Sequence, residues 1–341
     1  MLSRKNGGAE TYCCDAIEAL AEAGVEQVLA LHPFAGRLAG LAHRGLATGL
    51  PGWLPVWPPV ARPAIARLIA RHRPTVVHCW MRRAAESLPM RHPPAIGWFG
   101  GYYDVGRFAR CDWFVGVTAD LARHIVAGGA PQERTRHIQT FANLATSDGV
   151  VARGDLDTPV DATVALVLSR LHPKKAIDVA IRALPACPGL WLWVAGDGEL
   201  DAELRRLAAH EGVAERVRFL GWRDDRAALL AAADICLLPS RWEPFGTVMI
   251  EAWAARVPLI AAAAAGPAAT LRDGIDGLLV PIDDVAALAA AIGRVRADPV
   301  ARAAMVDAGA ARYEREFSRP AVVARLVELY EAASSAHRAA S

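Results

Sequence analysis

Glu243 and Glu251 stand eight positions apart in the run Ser240-Arg241-Trp242-Glu243-Pro244-Phe245-Gly246-Thr247-Val248-Met249-Ile250-Glu251. An apolar stretch at 235–238 precedes the run and reads as a strand, and an apolar helix begins within it. The first carboxylate therefore falls just before the helix and the second about two turns inside. Eight residues of helix rise roughly 12 Å. That separation suits two carboxylates touching different parts of one extended ligand, and it is too long for a pair working on one bond. Pro244 fits an early helix position, where a missing N–H costs little. Gly246 lets a ligand approach the backbone. The N–H groups of Phe245, Gly246 and Thr247 are expected to point out of the helix start, toward anionic or hydroxyl oxygens. The plainer alternative is an ordinary strand–loop–helix unit with surface carboxylates.

A second group is cationic. In Ser169-Arg170-Leu171-His172-Pro173-Lys174-Lys175, Arg170 and Lys175 lie five apart across a turn between a strand and a helix. Cations disfavour a helix start, so their presence there conflicts with local stability and suits phosphate binding. Only three residues are lysines, Lys5, Lys174 and Lys175, among 38 basic residues. Where arginine is the rule, two adjacent lysines draw notice. Gly196-Asp197-Gly198 makes a third strand–glycine–helix turn, a weak signal by itself. Trp222, after the segment 217–220, is placed either to stack on a nucleobase or to pack at a domain edge.

These turns need strands to hold them. Apolar runs at 164–168, 190–195, 217–220, 235–238 and 258–262 alternate with helical patterns at 176–184, 199–210, 224–232 and 246–255. Runs this apolar are buried on both faces, which predicts a parallel sheet covered by helices. The first half repeats the rhythm less clearly. A helix is expected at 8–23, strands at 25–31, 75–79, 95–99, 113–117 and 136–139, and a Pro/Trp-rich loop at 51–63. We expect an N-terminal domain over 1–147, a linker over 148–160, a second domain over 161–318 and a returning helix over 319–341. Gly7-Gly8 resembles a strand-to-helix turn with almost no strand before it. Either that strand is missing, or the true start lies upstream of Met1, which we prefer.

Composition narrows the function. Apolar residues make up 53% of 341, and 38 basic against 36 acidic residues leave a formal charge of +2. That balance gives no reason to expect nucleic acid as a partner. Six cysteines show no metal-ligand spacing and read as reduced, buried thiols of a cytoplasmic protein. No run is long and apolar enough to span a membrane, and the first residues lack a signal-peptide core.

On these motifs the C-terminal half resembles the retaining GT-B glycosyltransferases of family 4, also called glycosyl transferases group 1. The matching positions are Glu243 and Glu251, Arg170 and Lys175, and Gly196 and Gly198. The N-terminal half matches more loosely, through Gly7-Gly8-Ala9-Glu10, Val77-His78 and Phe141-Ala142-Asn143. The resemblance implies an α/β fold of two doubly wound, Rossmann-like domains facing across a cleft, with the donor site in the second. It implies that Arg170 and Lys175 bind the donor diphosphate, that Glu251 holds the ribose hydroxyls, and that Glu243 meets the transferred sugar. Phe245, Gly246 and Thr247 would offer N–H groups, and Gly7 and Gly8 would close the phosphate side. The histidine that many relatives carry in a strand-end His-Gly is absent. The segment here is Gly97-Trp98-Phe99-Gly100-Gly101-Tyr102-Tyr103-Asp104, so Tyr102, Tyr103 or Asp104 would line the acceptor side instead. His78 reads as structural.

The expected activity is metal-independent sugar transfer from a nucleotide-diphosphate sugar, with no further cofactor. The acceptor is expected to be a glycan or a lipid-linked saccharide of bacterial envelope polysaccharide synthesis. Another GT-B enzyme, such as a sugar-nucleotide epimerase, and a non-catalytic nucleotide-sugar-binding module are the alternatives. Residues 53–73, with Trp53, Trp57 and four arginines, could touch an anionic membrane surface from the cytoplasmic side, although we prefer the reading in which this helix packs on the first sheet.

Overall fold

The apolar runs become the strands of two parallel sheets. A computed structural model describes residues 8–30, 58–142, 144, 149 and 151–340. It divides into one unit of Met1–Phe141 with Arg319–Ser341 and a second of Ala142–Ser318.

In the first unit, helices α1 (Gly8–Glu22) and α2 (Pro58–His72) precede β1 (Val77–Trp80), α3 (Arg82–Glu86), β2 (Ala95–Phe99), β3 (Trp113–Gly116), α4 (Ala119–Ala127) and β4 (Thr135–His137). The strands are parallel in the order β1-β2-β3-β4. Phe99, Phe108, Phe114 and Ile125 fill the core on one side. The strand expected at 25–31 is absent over 25–30. Glu26 and Gln27 interrupt its apolar run, and Gln27 Nε2 donates to the Ile17 carbonyl at 2.8 Å. Trp53 and Trp57 lie outside the described residues. In α2, Ala61 and Ile65 are buried, and Arg62 donates to the Glu86 carbonyl, so much of the helix's apolar face is already used within its own unit.

The second unit runs β5 (Thr163–Leu168), α5 (Ile177–Ala183), β6 (Leu190–Ala195), α6 (Asp201–His210), β7 (Val217–Gly221), α7 (Arg226–Ala232), β8 (Ile235–Leu238), α8 (Thr247–Ala254), β9 (Leu259–Ala262), α9 (Ala265–Thr270), β10 (Leu278–Val280), α10 (Val285–Ala297) and α11 (Pro299–Arg312). Its parallel strands lie in the order β10-β9-β8-β5-β6-β7. The order reverses at β5, which pairs with β6 on one side and β8 on the other. In open α/β sheets that reversal opens a crevice at the strands' carboxyl ends. All of β5 except Thr163 is buried, as a central parallel strand requires. Strand β10 escaped sequence reading because its three residues are too few for a periodic signal.

The linker expected over 148–160 is corrected over most of its length, since the second unit already begins at Ala142. Residues from 151 onward are stitched onto the second unit: Arg153 reaches the Ala232 carbonyl and Asp234, and Trp193 Nε1 donates to the buried Thr158 Oγ1 at 2.9 Å. The polar composition that suggests a linker supplies these bonds. Helix α12 (Arg319–Ala340) belongs to the first unit. There Arg319 pairs with Glu22, Arg325 donates to Gln139, and Tyr330 Oη lies 2.7 Å from His78 Nδ1. Burial pulls His78 down to about 3, so it stays neutral and structural. All six cysteines are free thiols, and all but Cys14 are buried. No helix among the described residues is long and apolar enough to cross a membrane.

Candidate functional site

The loops after β5 and β8 emerge side by side because their strands are neighbours. Lys175 and Glu243, 68 positions apart in sequence, meet there, with Nζ 2.5 Å from Oε2. Both side chains are largely shielded from water, which strengthens their attraction. Lys175 ends a single 3₁₀ turn, and Ala176 at φ 50 swings the chain left-handed into α5. A residue with a Cβ holds that conformation at a cost of about 1 kcal/mol. Arg241 fixes the opposite side of the contact. It donates to both carboxylate oxygens of Asp178 and to the Pro173 carbonyl, and it pairs with Asp283. Asp178, then Asp283, hold its guanidinium more firmly charged than usual.

The glycine turn after β6 is pressed against the same β5 loop. A Cβ on Gly196, at φ 151, would sit 2.0 Å from the Ser169 carbonyl oxygen, and one on Gly198 would sit 2.5 Å from that of Leu171. Leu171 N–H donates to the Asp197 carbonyl at 2.7 Å, so the two loops are laced together. Arg170 lies in this lacing with its side chain exposed.

Helix α8 starts from Gly246, which is left-handed at φ 92, and no side chain caps it. Its first N–H groups, those of Thr247 and Val248, have no acceptor within the helix, while Met249 N–H donates to the Gly246 carbonyl at 2.9 Å. Phe245 is buried, with its ring 6.4 Å from that of Phe317. The Glu243 carbonyl accepts from Gly266 N–H at 2.7 Å, which ties the loop to α9. Glu251 is only 2% exposed, and its Oε1 accepts from Arg226 Nη1. Burial, with Glu251 nearby, raises the pKa of the Cys236 thiol beneath it. The two carboxylates thus answer to different cations. Trp222 follows β7 with 62% of its surface exposed, and its Nε1 donates to Asp224 at 2.9 Å.

Comparison with known proteins places this arrangement in a family. Residues 162–298 match the family described as Glycosyl transferases group 1, and residues 6–146 match Glycosyltransferase Family 4. The lipopolysaccharide core biosynthesis glycosyltransferase LpsE of Rhizobium meliloti (strain 1021) is 33% identical over 95% of this chain and 96% of its own. The chain belongs to the group 1 glycosyltransferases. LpsD of the same organism, also a lipopolysaccharide core biosynthesis glycosyltransferase, is 30% identical to this glycosyltransferase over 95% of each chain. In fold, the solved structure of Anabaena HepE in complex with UDP and glucose matches with a TM-score of 0.81 at 20% identity, over 97% of this chain and 98% of that one. The architecture is the GT-B, Rossmann-like pair of α/β domains.

In the first unit of this glycosyltransferase, Tyr102 Oη donates to Asp120 Oδ2 at 2.5 Å. Burial and then that bond push Tyr102 up to about 12, while the same bond lowers Asp120. Tyr103 packs its ring against Phe99 and Phe108, and Asp104 caps a 3₁₀ turn by accepting from Gly106 N–H. Gly8 begins α1, and Gly7 lies outside the described residues. Sequence reasoning missed Arg226, Arg241 as a clamp, and Gly266. Arg226 stands 25 residues before its partner, and Gly266 is hidden in an alanine run, so neither carries a spacing signal.

Proposed function

We propose that this glycosyltransferase moves a sugar from a nucleotide-diphosphate sugar to a hydroxyl of an envelope glycan or lipid-linked saccharide. The anomeric configuration is retained and no divalent ion is needed. The Lys175–Glu243 contact at the sheet's switch point carries the reading, because it sets a cation for a leaving phosphate beside a carboxylate for sugar hydroxyls. The names of LpsE and LpsD support an envelope saccharide as acceptor, and HepE, solved with UDP and glucose, supports a nucleotide donor. The reaction would take place at the cytoplasmic face.

In this reading the bond between the anomeric carbon and the diphosphate oxygen breaks, and its electron pair stays on the phosphate. Arg170, Lys175 and the N–H groups at the start of α8 stabilise that charge. The acceptor oxygen bonds the anomeric carbon from the same face, and its proton passes to the departing phosphate. No protein nucleophile is required, since binding and orientation supply the rate. Glu251 holds the ribose, and Trp222 offers a face to the base.

Product analysis with UDP-, GDP- and ADP-glucose tests the proposal. Transfer should give the donor's own anomer and persist in EDTA. An inverted product would defeat retention, and activity lost to EDTA and restored by Mg²⁺ would defeat metal independence. Glu251→Gln should raise the donor KM by about tenfold with kcat nearly unchanged, the pattern of lost uniform binding. An unaltered KM would remove Glu251 from the ribose.

A further inference from the structure

The first unit carries an unbalanced charge. Over residues 58–110 nine arginines stand against two acidic residues, Glu86 and Asp104, in a chain whose formal charge is only +2. Both acids belong to one network. Glu86 accepts from Arg107 at 3.3 Å and lies 3.8 Å from Arg82, and Asp104 lies 3.9 Å from Arg107. Arg83 is exposed, and among the described residues no carboxylate lies within ion-pair distance of it. Exposed pairs of this length add little to stability, so folding alone does not call for three arginines here.

The backbone sets their place. Arg82 and Arg83 open α3 directly after β1, and Met81, between strand and helix, is held at φ 68 and ψ 169. Glycine is the residue that takes such a conformation readily, and outliers of this kind gather at ligand sites. In open α/β sheets ligands bind at the carboxyl ends of the strands, which is where this turn lies. Helix α3 also packs on the 3₁₀ turn Val105–Phe108, which follows Tyr102, Tyr103 and Asp104.

We propose that Arg82 and Arg83, with Arg107 beside them, bind an anionic group of the acceptor, a phosphate or a carboxylate. The inference rests on the proposed transfer reaction and names the chemical class of its acceptor. A guanidinium meets either group through two parallel N–H donors. Glu86 and Asp104 leave one of the three cationic charges unanswered, and the acceptor's anion takes it up.

The test titrates the full chain with glucose 6-phosphate, methyl glucuronide and uncharged methyl glucoside. A saturating nucleoside diphosphate, whichever of UDP, GDP or ADP binds, is present to fill the donor phosphate site. The acidic sugars should bind about tenfold more tightly than the neutral one, as expected for two partly exposed charge contacts. The phosphate and glucuronide arms separate the two sources of charge. Arg83→Gln should cut the preference to about threefold, and Arg82→Gln with Arg83→Gln should bring it close to one. Arg206→Gln, the same loss of charge on exposed α6 of the other unit, should leave it intact. Equal binding of acidic and neutral sugars, a preference unchanged in the double variant, or an equal loss in Arg206→Gln overturns this site alone. If none of the three nucleotides binds, the transfer reading fails and the site falls with it.

Discussion

Lys175→Ala should turn over donor about 10²–10³ times more slowly than the parent enzyme, the usual cost of removing one charged contact to a developing anion. The loss should appear in kcat, because the charge that Lys175 answers is largest as the phosphate departs. Lys175→Arg should recover only part of the rate, since a planar guanidinium cannot replace a compact ammonium facing Glu243 at 2.5 Å. Circular dichroism and thermal melting would show whether the variant still folds. A folded Lys175→Ala enzyme with normal kcat would take the phosphate role away from this residue.

The second large effect is on stability. Gly196→Ala should cost at least about 3 kcal/mol, a sum of overpacking and of a backbone conformation that only glycine adopts readily. The added Cβ would meet the Ser169 carbonyl oxygen at 2.0 Å, and neither backbone can move without unlacing the loops after β5 and β6. Gly212→Ala is the matched control. Its φ is also positive, at 68, but nothing lies within 4 Å of the new atom, so about 1 kcal/mol is expected. Denaturant titration of both variants checks the contrast. Equal stabilities would mean that the close approach at Gly196 does not hold the loops.

Most of the second unit was legible because its strands are buried on both faces. Runs such as 164–168 and 235–238 are almost wholly apolar, and each is bounded by a turn carrying glycine, proline or charge. Glu243, Arg170 and Lys175 stood out because charged residues at strand ends have no packing role, and Glu251 because a carboxylate interrupts an otherwise apolar helix. What the sequence hid was partnership. Nothing in spacing says that Lys175 faces Glu243 while Glu251 turns to Arg226, since those pairings depend on strand order. The apolar run at 25–31 misled, because a few hydrophobic residues around Glu26 and Gln27 do not make a strand. Tyr103 and Asp104 show the reverse difficulty: residue types that suit a substrate also suit a core contact and a helix cap.

Strands β5 and β8 lie side by side but are joined only after the chain has built β6 and β7 outward and come back. A nascent chain that has folded residues 163–221 therefore still lacks the acid that Lys175 will meet. Closing so long a loop is an entropic cost that falls late and slows assembly. Recovery of catalysis after dilution from denaturant should accordingly lag behind recovery of helical signal.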